Sequence, residues 1–441
     1  MEPTQRAVAR LTAAGVHGVA LTWVDNAGLT RVKTVPAQRL ARVADEGVGM
    51  SPVFDVYLVD DSMTGSPCVG GPDGDLRLVP DLRALTPLAA QPGWAWAPAD
   101  RSEQGGAPYP ACQRRFAARQ AERALAAHGI EVRMGFETEW VVTRSGEPVG
   151  AGPAYGMARL VGHSAYLDDL VVALTEQGVG LLQLHPEYAP GQFEVSVAPS
   201  GPVGAADLAV LVRETIRAVS VRHGLDASFA PVVDPDGLGN GRHLHLSLWR
   251  DGRNLCRDGD GPLGMTRVCE AFLAGVLREL PALLAIGVPS PAGYLRIRPS
   301  FWSGAHQCWG LENREAALRF ITGAPRDPGG ANAEVKCFDN AANPYLVTGA
   351  VIAAGLAGIE AGRSLPPPVA GDPAALPEAA RPPRLPETLP AALGHFERSA
   401  VLRDALGEAL HGAIAAVRRA EAALFEAATP REIAAATRDR Y

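Results

Sequence analysis

The residues of this chain that could do chemistry fall on short stretches that alternate like β-strands. Successive strand side chains point to opposite faces, so residues two apart share one. That rule pairs Glu137 with Glu139 in GFETEW, His243 with His245 in GRHLHLSLW, and Glu334 with Lys336 in NAEVKCFD. Between them, Glu187 and Glu194 flank a Pro-Gly turn in HPEYAPGQFEV. A lone Glu-x-Glu is ordinarily a solvated face, and a lone His-x-His is as often a structural pair as a ligand pair. Their conjunction carries more, because like charges converging on one face repel unless something positive lies between them.

The simplest positive partner is a pair of hard divalent cations. Carboxylates with an occasional imidazole suit magnesium or manganese better than zinc, which prefers nitrogen and sulfur. Downstream, Arg296, Arg298, Arg314 and Arg319 supply guanidinium forks for phosphate and carboxylate oxygens. Carboxylate-bound metals and arginines together are what phosphoryl transfer requires, since its catalysis is mostly positioning and charge neutralisation. No P-loop occurs: GNGRHLHLS runs from a glycine loop into a strand and lacks the Gly-Lys-Ser ending.

Elements of both kinds must position these residues. HGVALTWVDNAGLTRVKTVP, residues 17–36, predicts a hairpin turning at Asp25-Asn26-Ala27-Gly28. A breaker-rich segment, RSEQGGAPYP at 101–110, marks a domain boundary, which we place between residues 105 and 106. Beyond it, helices are expected over 114–129, 165–178 and 345–362, and strands over 130–143, 191–199, 242–250, 315–322 and 332–339. From Leu365 to Pro390 the chain is too proline-dense for regular helix. Two terminal helices are expected after it.

Bulk properties exclude several functions. A chain of 441 residues is long for a single core, which favours more than one domain. With 41 basic and 48 acidic residues the net charge is −7, leaving no electrostatic footprint for nucleic acid. The first twenty residues lack the apolar core of a signal peptide. LVTGAVIAAGLAGIE, residues 346–360, is too short for a bilayer core about 30 Å thick. A cytoplasmic protein without a membrane partner is therefore expected. The six cysteines form no Cys-x-x-Cys pair, which argues against a disulfide framework or a zinc knuckle.

Taken in order, VDNAGLTRVKTVP, FETEW, GNGRHLHLSLW, ENREAALRF, EVKCFDNAANPYL and LPETLPAAL resemble the glutamine synthetase family and its relatives that join glutamate to amines. The resemblance implies an α+β fold, with a small N-terminal β-grasp domain (1–105) and a large catalytic domain (106–441) around a curved antiparallel sheet flanked by helices. It implies stacked rings, commonly dodecamers, in which a neighbour's N-terminal domain completes each active site. By the same resemblance, Glu139, Glu187 and Glu194 would hold one magnesium or manganese ion, and Glu137, His243 and Glu334 another. Arg296 would grip the α-carboxylate of glutamate beside the Gly239 backbone. Arg314, Arg319 and Lys336 would serve the transferring phosphoryl group, and His245 and Ser247 would lie near ATP. The implied reaction phosphorylates the γ-carboxylate of glutamate, and an amine then displaces phosphate. That amine must lose a proton, so a general base is needed.

Departures from the family pattern concern the amine. Counting back from Asn313-Arg314, Trp302 stands where ammonia-using enzymes carry a flap acid. Met50 or Ser51 stands near the place of a second acid from the N-terminal domain. An ammonium ion needs anionic oxygens to replace its water, whereas a substituted amine gains about 0.8 kcal/mol per buried methylene and about 0.5–2 kcal/mol over an aromatic face. The expectation is an ATP-dependent ligase acting on a polyamine or monoamine. A true glutamine synthetase is disfavoured by the missing acids, and a silent structural homologue by the full ligand set. Asp55, Asp60 and Asp61 are possible polyamine anchors or merely loop charges. Lys336 for the usual arginine, Leu238 for a polar residue, and Gly329 and Asn332 for basic residues leave the acid substrate open to a relative of glutamate. His306 and Cys308, which suggest a ligand pair, have no third ligand at suitable spacing, and Trp309 is expected to pack.

Overall fold

The computed structural model describes residues 3–150 and 152–441, which build two sheets and the helices that cover them. In the first sheet the strand order is Thr30–Pro36, Gly18–Val24, Trp94–Glu103, Leu76–Pro80 and Val48–Met50. Gly18–Val24 pairs with Thr30–Pro36 as the expected antiparallel hairpin and runs parallel to Trp94–Glu103. The hairpin turn requires Gly28, whose φ is +85° and where a Cβ would fall 1.7 Å from Ala341 O. Asn343 Nδ2 donates to Val24 O and Asp25 O at 3.0 and 3.2 Å, fastening this turn to the start of the helix Pro344–Glu360.

The second sheet orders His306–Leu311, Ala316–Ile321, Asn332–Val335, Leu244–Arg250, Glu131–Arg144, Gln192–Val197 and Leu181–Pro186. It curls into a half-barrel flanked by helices. The expected antiparallel character holds except for the first pair, which is parallel. The edge of His306–Leu311 is covered by the proline-rich stretch, which bonds to it through Val369 N to Trp309 O and Gln307 N to Pro383 O, both at 2.8 Å. Prolines suit this place because only one side of such a segment has to pair.

Behind the sheet, Pro344–Glu360 is apolar on every side because it is buried between Arg267–Gly287 and Gln113–His128. Gly275 and Gly358 let two of these helices approach so closely that a Cβ at Gly358 would meet Gly275 Cα at 2.6 Å. Among the described residues no helix is long and apolar enough to cross a membrane.

Two sequence expectations require correction. Three helices, Leu389–Arg398, Ala400–Leu424 and Pro430–Thr437, follow the proline-rich stretch instead of two. The last is set apart by a capping box, with the Thr429 side chain accepting from Glu432 N and Glu432 accepting from Thr429 N. The strand expected over 332–339 ends at Val335: Lys336 O and Cys337 O accept from the Arg296 guanidinium, and pairing beyond them returns only as the Gly241–Asp339 bridge, with Arg242 N donating to Phe338 O at 3.0 Å.

Candidate active site

Strand pairing turns the separate sequence pairs into one surface. In register, Glu194 lies opposite Glu139 and His185, while Glu334 lies opposite His245 and Arg319. The result is two neighbouring ligand groups, Glu137, His243 and Glu334 in one and His185, Glu187 and Glu194 in the other, each with ligand atoms within 4.8 Å of one another.

In the first group, His243 Nδ1 is 3.1 Å from Glu137 Oε2 and 3.2 Å from Glu334 Oε1, and its Nε2 is 3.8 Å from Glu139 Oε1. His245 Nε2 is 3.1 Å from Glu137 Oε1, and its Nδ1 faces Asn332 Oδ1 at 2.9 Å. Asn332 therefore orients the His245 imidazole. Arg319 and Lys336 both donate to Glu334, at 2.9 and 3.0 Å. Burial pushes the Glu137 carboxyl upward, but the hydrogen bond to His243 and the nearby His245 imidazole outweigh it and hold the group well below the usual range. Burial likewise opposes ionisation of Glu334, and Lys336 with the two histidines wins, holding it at about 2.

The second group has the same count of carboxylates, with no arginine or lysine bonded to them among the described residues. Its His185 lies 3.4 Å from both Glu187 Oε1 and Glu194 Oε1 and is pushed up to about 9, chiefly by its bond to Glu194. Burial, with the charges of Glu139 and Glu194, raises Glu187 to about 7. Burial also raises Glu139, with Glu194 adding to the shift and His243 opposing it. Carboxylates that resist ionisation beside protonation-prone imidazoles mark a place where positive charge is in deficit. This oxygen-rich donor set fits two hard divalent ions.

The remaining candidates surround these groups. Arg296 Nη2 donates to Cys337 O at 2.6 Å and Phe338 O at 3.0 Å, its Nε has no partner, and its charge acts on Glu139. Gly239 packs against it, where a Cβ would meet Arg296 Cγ at 2.6 Å. Buried Ser247 accepts from Trp249 Nε1 at 2.8 Å, on the face that carries His245. Trp302, 59% exposed, stands on the loop before His306–Leu311, and exposed Arg314, from the turn between that strand and Ala316–Ile321, places its guanidinium 5.9 Å from the Trp302 ring centroid.

Sequence reasoning missed three neighbours. His185 and Gln192 each stand two residues before an assigned glutamate, Glu187 and Glu194, so the alternation rule would have found both. Gln192 Nε2 bonds Gly239 O at 3.1 Å and Glu139 Oε2 at 3.2 Å, linking the Arg296 pocket to the second group. Tyr155, whose N–H donates to Glu187 O at 3.4 Å and whose ring centroid lies 6.1 Å from that of His185, comes from a loop with no periodic signal. The cysteine-histidine idea is closed: His306 and Cys308 are buried and belong to neither ligand group. Trp309 packs as expected, its Nε1 donating to Pro366 O at 2.7 Å.

Residues 111–435 match the family described as glutamine synthetase, catalytic domain. Over 98% of its length the chain is 55% identical to gamma-glutamylpolyamine synthetase GlnA3 of Streptomyces coelicolor, covering 95% of that protein. It is 29% identical to gamma-glutamylanilide synthase of an Acinetobacter species, over 96% of this chain and 91% of the relative. Its fold is similar to the crystal structure of a novel glutamine synthase homolog, with a TM-score of 0.87, 33% identity, and coverage of 97% of this chain and 99% of the other.

Proposed function

The chain belongs to the glutamine synthetase family, whose members are ATP- and divalent-metal-using ligases, and from that premise we propose that it joins glutamate to a polyamine or another organic amine. The observation that carries this is Trp302 on the flap, exposed and facing Arg314; in this reading the tryptophan stands where the ammonia-using relatives carry an acid. The likeness to the polyamine-ligating relative supports it.

In this reading Arg296, beside Gly239, holds the α-carboxylate of glutamate, and Arg319, Arg314 and Lys336 offset charge on the phosphoryl group as it passes from ATP to the γ-carboxylate. Glu137, His243 and Glu334 would hold one magnesium or manganese ion, and Glu187 and Glu194, which cluster with His185, would hold another together with Glu139. Once bound, such ions neutralise phosphoryl oxygens. His245 and Ser247 face ATP. The amine then attacks the acyl carbon and phosphate leaves.

The structure narrows the polyamine anchors. Asp55 is wholly buried and bonds Arg101 Nη1 at 2.7 Å, so it is not available to a substrate. Asp61 is held by Arg31 and Arg440, whereas exposed Asp60, among the described residues, bonds only Ser62 of its own loop. We read residues 1–105 as the domain that presents this loop to a neighbouring subunit in a ring, a dodecamer by family habit, in the cytoplasm.

ADP release with glutamate fixed and amines varied tests the proposal. Polyamines or monoamines should support faster turnover than ammonium at equal concentration; fastest release with ammonium would restore a true glutamine synthetase. Silence across acids and amines with both metals would favour a non-catalytic homologue. Trp302→Glu is expected to move preference toward smaller or more highly charged amines, and an unchanged amine ranking would remove Trp302 from the pocket.

A further inference from the structure

We propose that Glu315 is a positioning residue: it fixes the flap that carries Trp302, and thereby controls how the acceptor amine, in place of water, meets the acyl phosphate. The proposal rests on the ligase reading. The flap, residues 297–305, joins the helix Pro291–Arg296 to the strand His306–Leu311. Two of its residues, Ser300 (φ 62°) and Trp302 (φ 54°), are in the left-handed region without being glycine. L side chains rarely adopt that conformation, and it persists only where the surroundings over-determine it.

Glu315 supplies that constraint. Its Oε1 accepts from Trp302 N at 2.8 Å. The carboxylate is itself well placed to hold a backbone rigidly. Glu315 is 9% exposed, its own N–H is taken by Asn313 Oδ1 at 3.0 Å, and Asn313 Nδ2 is tied to Val369 O and Gly371 O at 2.9 Å each. A second fastening, Ser300 Oγ to Asp372 Oδ2 at 2.6 Å, binds the flap to the same proline-rich stretch. Ser303 Oγ closes the loop internally, accepting from Arg298 N at 2.9 Å and donating to Arg298 O at 2.8 Å. Gly304 then lays the chain against the site, where an added Cβ would meet Lys336 Cβ at 3.3 Å.

Thus the backbone beneath Trp302 is fastened while its ring remains exposed, free to meet a substrate. Because the Glu315 carboxylate is engaged with the Trp302 N–H, it acts through the flap and not on the reacting atoms. A fixed flap matters chemically, since an acyl phosphate open to water loses phosphate by hydrolysis before an amine arrives.

Hydrogen exchange and kinetics on the full-length protein test this. In Glu315→Ala, amides of residues 298–304 should exchange about 10-fold faster or more, the loss expected for hydrogen bonds to a charged acceptor. The KM for the amine should rise by about the same factor while that for glutamate stays within about twofold, and more ATP should be hydrolysed per amide formed. Glu315→Gln, which keeps one oxygen acceptor and the side-chain shape, should fall between the two and rescues the test if the alanine variant fails to fold. Unchanged exchange in both variants, or amine and glutamate KM rising together, would overturn the proposal. If the unsubstituted protein ligates no amine, the ligase reading fails, and the exchange measurement alone still judges the fastening.

Discussion

Replacing Glu334 by alanine is expected to cost about 3–5 kcal/mol of folding stability at neutral pH and to abolish turnover. The side chain is 1% exposed and faces Lys336, Arg319 and His243, at 3.0, 2.9 and 3.2 Å. Removing one member of such a group leaves the others buried without compensation, which is costlier than never having buried them. The pH dependence has a definite sign. Burial disfavours the Glu334 carboxylate, but the cations hold it at about 2, below an unfolded value of about 4.3. Its stabilising contribution is therefore complete above that unfolded value and is lost as pH falls toward 2. Denaturant unfolding at several pH values should show the largest difference between the two proteins near neutrality and a narrowing gap below about pH 4. Equal midpoints at pH 7 would mean that these ion pairs contribute nothing net.

Glu139→Ala is expected to behave in the opposite way toward the fold. Turnover should drop by at least about 1,000-fold, the scale on which lost stabilisation of transferring charge is felt. Stability without divalent ions should change by no more than about 1 kcal/mol, because two opposing effects nearly cancel. The variant loses hydrogen bonds from Gly241 N at 2.9 Å and Gln192 Nε2 at 3.2 Å, yet it also relieves repulsion among Glu139, Glu194 and Glu187. Manganese should raise the melting temperature of the unsubstituted protein more than that of the variant, since an ion that binds only the folded state stabilises it by mass action. Unaltered turnover would take Glu139 out of the site, and equal protection by manganese would take it out of the metal-binding set.

The contrast between these two glutamates was not legible in the sequence. Glu139 and Glu334 both appear as members of alternating pairs, Glu137/Glu139 and Glu334/Lys336, and periodicity treats them alike. What separates them is the neighbour across the sheet: Glu194 for Glu139, but Arg319 and His245 for Glu334. Asp55 shows the same limit, since it reads as a loop carboxylate and is instead sealed against Arg101 and the Tyr109 hydroxyl, at 2.7 and 2.9 Å. Glu315 carried no signal at all, because its partner is a backbone amide of a left-handed flap that no side-chain pattern records.

By itself the sequence determined which residue types share a strand face, where helices and breakers alternate, and that the ordered motifs are those of a glutamine synthetase relative. These are local properties, decided by a period of two or 3.6 residues and by the side chains themselves. Only the tertiary structure decided which faces meet. His243 reaches Glu334 and Glu137 across about ninety and about a hundred residues of chain, and such contacts depend on strand order and pairing register, which local periodicity does not encode.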